Sequence, residues 1–310
     1  AKLRQLPTGR GGSNWNRIRH RIGFGHIEGR KAVASQLFGA SVRALLVALL
    51  IAMPSMIMPG VQKDTQDLAM LFALVGGAIT MFEYGSSHPG LIEFRFAPPY
   101  NRIRFMSLFL TILLVALMFR GEFGGDSITQ KVFYIGYVIG VGMDFPFSPV
   151  RLFTHLLTHG GTSQNVEIVR SAAGLGYVIS LLSLAVFAVL MHVKEWPLGN
   201  GPFNLWVNLP IFDPTSTSDV EDRLARDARF NIIFGFTLPF LLPSVASVSS
   251  GYYQFDAVNN NQTLIWAVAI WAFLPASLFM RGMAMGKIAQ LIRRKRERLL
   301  APRTMDYAQA

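Results

Sequence analysis

The sequence predicts an all-α fold, a polytopic transmembrane helical bundle with six spans, and three observations lead there. Of the 310 residues 51% are hydrophobic and only 15% charged, and the mean hydropathy is +0.36, far from the composition of an ordinary soluble domain. The apolar stretches are continuous, whereas strands of a membrane barrel alternate apolar and polar residues with period two. Seven such stretches stand at 44–58, 68–82, 105–119, 132–149, 172–193, 230–248 and 264–283, against the roughly 20 helical residues that cross a bilayer. The chain has no cysteine. That excludes a disulfide framework, a thiolate metal site and haem attachment through CxxCH.

The first apolar segment follows a basic arm, residues 1–43, with nine Lys or Arg. Those flanks do not suit a cleaved signal peptide, so the segment is expected to be a retained anchor. Within the arm, "SNWNRIRHRIGFGHIEGRK" puts Trp15, Ile18 and Ile22 on one helical face and Arg17, Arg19 and Arg21 away from it. This pattern suits an amphipathic helix lying in an anionic headgroup layer. Nucleic acid is the less favoured partner, because the arm leads directly into an anchor.

Segment five, "AAGLGYVISLLSLAVFAVLMHV", is long and uncharged, whereas segment four, "VFYIGYVIGVGMDFPFSP", holds about twelve unbroken apolar residues before Asp144, Pro146 and Pro149. A carboxylate at mid-membrane costs about 2.5–3.5 kcal/mol. Irregular backbone at that depth survives only against protein or a water-filled cavity. Segment four is therefore expected to be a re-entrant or interfacial hairpin. The rival is a short tilted helix with Asp144 at the headgroups, whose Gly136 and Gly140 have the spacing for close helix packing.

Orientation follows from Lys and Arg retained on the cytoplasmic side. Seven crossings would split the 29 basic residues almost evenly, 14 inside and 15 outside, whereas a fourth segment that enters and returns places 24 inside and 5 outside. Both termini are thus expected in the cytoplasm, in a bacterial inner membrane. The domain plan is the arm 1–43, a transmembrane domain 44–283 containing an interfacial or soluble connection 194–229, and a basic C-terminal helix and tail 284–310. In the connection, "STSDVEDRLARDAR" reads as a solvated charged helix capped by Ser218. The tail's "GKIAQLIRRKRERLL" continues segment seven past the bilayer. Its Arg293 and Arg294 suit headgroups, and Ile288, Leu291, Ile292 and Leu299 form an apolar stripe open to a partner.

Chemistry is sparse. "FTHLLTHGG" spaces His155 and His159 four apart, as for a metal or porphyrin, or equally as the polar face of an interfacial helix. "MFEYGSSHPGLIEFRFAPPYNRIRF" gathers Glu83, His88 and Glu93 with Arg95, Arg102 and Arg104, a mixture that could serve acid–base work on a phospholipid or simply orient the loop. Polar or broken positions at Asp144, Asn231, Pro239 and Pro243 are the only hints of a transport site. No GxxxxGK[ST], GxSxG, HExxH or GxGxxG motif occurs.

The expectation is accordingly an integral membrane structural, assembly or secretion-machinery subunit. It would act by packing against anionic lipids and membrane-protein partners in a larger complex, with no cofactor assigned. The alternatives are a permease component with a site near the broken fourth and sixth segments, and a phospholipid-modifying enzyme.

Overall fold

The computed structural model describes residues 12–86, 90–95, 97–122, 124–158, 163–193, 196–197, 208–209, 219–249 and 261–300, by backbone alone at 12–33, 163–165, 246–249 and 299–300. Among these residues eight helices form: α1 (Gly12–Ile57), α2 (Lys63–Gly85), α3 (Tyr100–Glu122), α4 (Ser127–Met143), α5 (Pro149–Leu157), α6 (Ser163–Val193), α7 (Val220–Ser249) and α8 (Asn261–Leu300). Six are long and apolar enough to cross a membrane: α1 from Ala34, α2, α3, α6, α7 and α8. The 17 residues of α4 reach about 25 Å at 1.5 Å per residue, short of a hydrocarbon core of about 30 Å.

Inter-helix contacts fix the direction of each span. Helices α1 and α2 run antiparallel, because a Cβ on Gly77 would meet Ala44 while Gly85 faces Leu37. Arg120 near the end of α3 donates to the carbonyl of Ile57 at the end of α1 (3.4 Å), so those two ends share a face. Thr111 of α3 lies against Gly176 of α6 and Tyr100 against Phe187; these helices are antiparallel. Gln262 at the start of α8 donates to Ser55 of α1 (2.6 Å), and Gly235 and Gly282 bring α7 and α8 together head to tail. Read in chain order, the six spans alternate strictly in direction.

Two consequences follow. The chain leaves α3 and re-enters α6 on the same face, so α4 and α5 make no net crossing and form the expected hairpin. The outer ends of the first and last spans share the opposite face. We call these the hairpin face and the stalk face.

Close contact seats the hairpin. A Cβ added to Gly174 of α6 would lie 2.6 Å from Cα of Gly140, and one on Gly140 would lie 2.7 Å from Cα of Ser171. Only glycine at both positions lets the backbones approach so closely. Gly140, half of the pair noted in the sequence, thus serves hairpin packing rather than a full span.

The stalk face carries a second departure from expectation. Residues 220–229 are the first turns of α7, continuous with its span, and not a separate solvated helix. Leu224 and Ala228 pack against Ala284, Met285, Ile288 and Ala289 of α8, so of the stripe noted in the sequence Ile288, and in part Ile292, meets the chain's own α7. Asp219 caps α7 by accepting from the Glu221 amide at 3.1 Å, and its carboxylate pairs with Arg296, which holds its pKa below the ordinary value. Ser218, the expected cap, lies outside the described residues. The amphipathic N-terminal helix is, by backbone, one rod with the first span from Gly12; the side chains of Trp15, Arg17, Arg19 and Arg21 lie outside those described.

Single cysteines in this cysteine-free chain test the plan. Thiol labelling from one side of a sealed vesicle should reach residues 60 and 124 together, and residues 219 and 296 only from the other side. Labelling of 124 and 219 from a common side would refute the strand of contacts above.

Candidate functional site

The hairpin turn is built by capping. Asp144 is the C-cap of α4, its amide donating to Val141 O. Ser148 N-caps α5 by accepting from the Arg151 amide at 3.0 Å, and Pro149 at the first helical position loses no hydrogen bond there. Between them Phe147 adopts φ +63° and stands 86% exposed at the tip.

Behind the tip the charges converge. Arg151 donates from Nε to Asp144 Oδ1 (2.7 Å) and from Nη2 to Asp144 O (2.8 Å), and Arg170 Nη1 stands 3.6 Å from Oδ2. Asp144 and Arg151 line a cavity of about 550 Å³ that also touches Thr154, His155, Thr158, Pro243 and Ser244, and Arg170 stands behind Asp144 outside that lining. Residues from the fourth and sixth apolar segments thus share one vestibule on the hairpin face.

Aromatic rings lie on the inner side of α5. Phe153, one turn from Pro149, stacks on Trp271 of α8 with centroids 4.4 Å apart, and Tyr177 of α6 also stacks on Trp271 at 5.8 Å. Trp271 has a second duty. Pro243 has no amide, so the carbonyl of Pro239 one turn earlier loses its helical donor; the Trp271 indole supplies one, Nε1 to Pro239 O at 3.2 Å. A broken helix at this depth is tolerated because a neighbouring span repairs it.

The sequence's other candidates are dispersed. His155 is exposed at the cavity. Helix α5 ends at Leu157 with Thr158 as its cap, and His159 lies outside the described residues. Among the described residues no three metal-ligating side chains cluster. Asn231 is not near Asp144 but at the stalk face, where its Oδ1 accepts from Arg281 (3.1 Å). There Arg281 also grips Glu93 through Nε (2.6 Å) and Nη2 (2.8 Å).

The loop holding Glu93 is internally satisfied. The Glu83 carboxylate accepts from the amides of Gly90, Leu91 and Ile92, and Arg95 donates to the carbonyls of Glu83, Tyr84 and Ser86 at the end of α2. These groups cap and fasten the loop, and His88 lies outside the described residues. Arg102 is exposed. Arg104 lies over Tyr100 (5.2 Å) and Phe273 (5.8 Å), while Arg293 and Arg294 are exposed on α8, the former paired with Glu297.

Sequence reasoning did not single out Arg151, Arg170, Arg281 or Trp271. A signal for the first two existed: they are basic residues close beside apolar segments four and five, and a charge so near the apolar layer calls for a local anion. No protein-family model, no curated protein and no solved structure matches this chain.

Two stability measurements check the site. Trp271→Phe keeps the stack and removes the donor; melting should report a loss of about 1–2 kcal/mol, the cost of one orphaned buried carbonyl. Glu93→Gln leaves Arg281 without its counter-ion and should cost about 2–4 kcal/mol, less than a fully buried pair because Arg281 is 29% exposed. The double change Glu93→Leu with Arg281→Met should recover most of that loss in a mutant cycle.

Proposed function

We propose that this membrane-embedded helical protein is a permease-type component that admits a small polar solute into the hairpin vestibule. The observation that carries this reading is the convergence of Asp144 and Ser244, from two broken apolar segments, with Arg151 and His155 of α5 on one cavity of about 550 Å³. Carriers bind solute near broken helices because unpaired backbone and polar side chains are tolerated at depth only where they line a cavity or meet protein. The aromatic layer of Phe153, Trp271 and Tyr177 would then act as the inner barrier of an outward-open form.

Sidedness in this reading follows the basic residues. The stalk face carries Lys287, Arg293, Arg294, Lys295, Arg296 and Arg298 on α8 alone, so it is assigned to the cytoplasm of a bacterial inner membrane and the hairpin face to the outside.

A packing role in a larger complex is the second reading, favoured by the placement of α2. Apart from its partner α1, this helix makes little contact with the bundle, and it exposes Leu68, Phe72, Leu74, Val75, Ile79 and Phe82. Lipids or a partner span would cover such a helix equally.

Filling the cavity separates the two. Ser244 is exposed at its rim, and Ser244→Trp should lower uptake of small polar solutes into proteoliposomes at least tenfold with little change in melting temperature. Unchanged uptake, or no uptake by the unmodified protein for any of a panel of amino acids, carboxylates, sugars and phosphate, would remove the permease reading.

A further inference from the structure

We propose that the vestibule takes a small oxyanion, a carboxylate or a phosphate group, and that Asp144 is the internal counter-ion such a ligand relieves. The proposal deepens the reading above and rests on it only for the cavity being a solute site.

Charge is the starting point. Two guanidiniums meet one carboxylate, so the triad carries an excess positive charge. The other groups facing the cavity do not cancel it: α5 contributes His155, Thr154 and Thr158, α6 contributes Val166, α7 contributes Pro243 and Ser244, and Asp144 is the sole acid among the described lining residues.

Donor capacity agrees. Arg151 commits Nε and Nη2 to Asp144, leaving Nη1 without an acceptor among the described residues. Arg170 has one long contact to Asp144 Oδ2, at 3.6 Å, and its Nε is buried with no hydrogen-bond partner. The Tyr137 ring, 5.9 Å from the Arg170 guanidinium, offers only a weak π contact. Neighbouring hydroxyls are already spent as donors: Thr154 to Val150 O, Thr158 to Thr154 O and Ser244 to Phe240 O. Direct ligand recognition therefore falls to Arg151, and Arg170 adds positive charge from behind Asp144.

Planar guanidinium forks match the paired oxygens of carboxylate and phosphate, and they do so most strongly where water is partly excluded. Asp144 shows the same chemistry in place: its carboxylate is met by both arginines at once, through Nε of Arg151 and Nη1 of Arg170, while Nη2 of Arg151 takes the Asp144 backbone carbonyl. A ligand oxyanion entering beside it would take the unused Nη1 of Arg151 and compete with Asp144 for the rest of that guanidinium, while Arg170 remains behind as the partner of the displaced Asp144.

Competition makes the proposal testable in an unusual direction. Removing an acid from a binding site usually weakens it; here Asp144→Asn should strengthen oxyanion binding by about tenfold, one charge interaction at intermediate dielectric. The full chain in phosphatidylcholine nanodiscs is titrated calorimetrically with sodium phosphate against sodium chloride at matched ionic strength. Saturable heat with phosphate and not chloride, tightened in Asp144→Asn and lost in Arg151→Gln, is the expected result. Nanodiscs containing phosphatidylglycerol, without free phosphate, form the second arm. A rise in melting temperature there that needs Arg151, with no response to free phosphate, assigns the oxyanion to a lipid headgroup.

No response to either source in the unmodified protein overturns the proposal, and that measurement depends on no variant folding. An Asp144→Asn protein that melts lower yet binds phosphate no better also overturns it, since the triad would then only pin the hairpin. If solute uptake fails while the phosphate pattern holds, the permease reading falls and the oxyanion site stands.

Discussion

A charge or an irregular backbone carried into an apolar layer must bring its partner with it, and this constraint organises the hairpin turn, the loop between α2 and α3 and the proline break in α7. Water cannot supply the missing hydrogen bonds at that depth. In the hairpin turn the partners are Arg151 and Arg170 around Asp144. In the loop between α2 and α3 they are the amides around Glu83, the carbonyls around Arg95 and Arg281 around Glu93. In α7 the indole of Trp271 replaces an amide that proline lacks. Both described non-glycine residues with left-handed backbone, Phe94 at φ +54° and Phe147 at φ +63°, sit inside these fastened turns. Such conformations cost about 1–2 kcal/mol each, a sum that the surrounding charge-assisted bonds can offset.

Much of the architecture was legible because it depends on quantities a sequence displays. The length and continuity of the apolar runs announced helices, and the distribution of 29 basic residues demanded an even number of crossings. The weakness of segment four was visible in Asp144, Pro146 and Pro149. Depth and pairing were less accessible. Asn231 and Asp144 both read as polar interruptions, yet the alternation of span directions sends one to the stalk face and the other towards the hairpin face. Glu93 and Arg281 are 188 residues apart, and nothing in either neighbourhood names the other.

The charged stretch that opens α7 shows why local pattern misleads. Its acid–base spacing satisfies the rules for an isolated solvated helix, and a turn-rich segment precedes it. What the spacing omits is the apolar pair Leu224 and Ala228, one turn apart, which needs a facing helix. Helix α8 supplies that face with Ala284, Met285, Ile288 and Ala289. Acidic residues at the start of α7 then oppose the basic end of α8, as Asp219 and Glu221 do around Arg296. The acidic residues of this segment are thus the local counter-charge to the basic C-terminal helix.

The two faces of the bundle differ in what movement would cost. On the stalk face α7 and α8 share a long antiparallel seam in which Gly235 and Gly282 bring backbone to within 2.7–2.8 Å of an added Cβ; opening it would expose a continuous buried surface. The hairpin face is closed by α5, nine residues long, which buries Pro149, Val150, Phe153 and Thr154 and leans on α6 and α7. Withdrawing two or three apolar side chains costs a few kcal/mol, about 1.5–3 for each one fully buried, whereas parting the seam costs several times that. Any rearrangement that exposes the aromatic layer beneath the vestibule therefore begins with α5, and the element resisting it is the triad that ties Arg151 of α5 to the end of α4 and to Arg170 of α6.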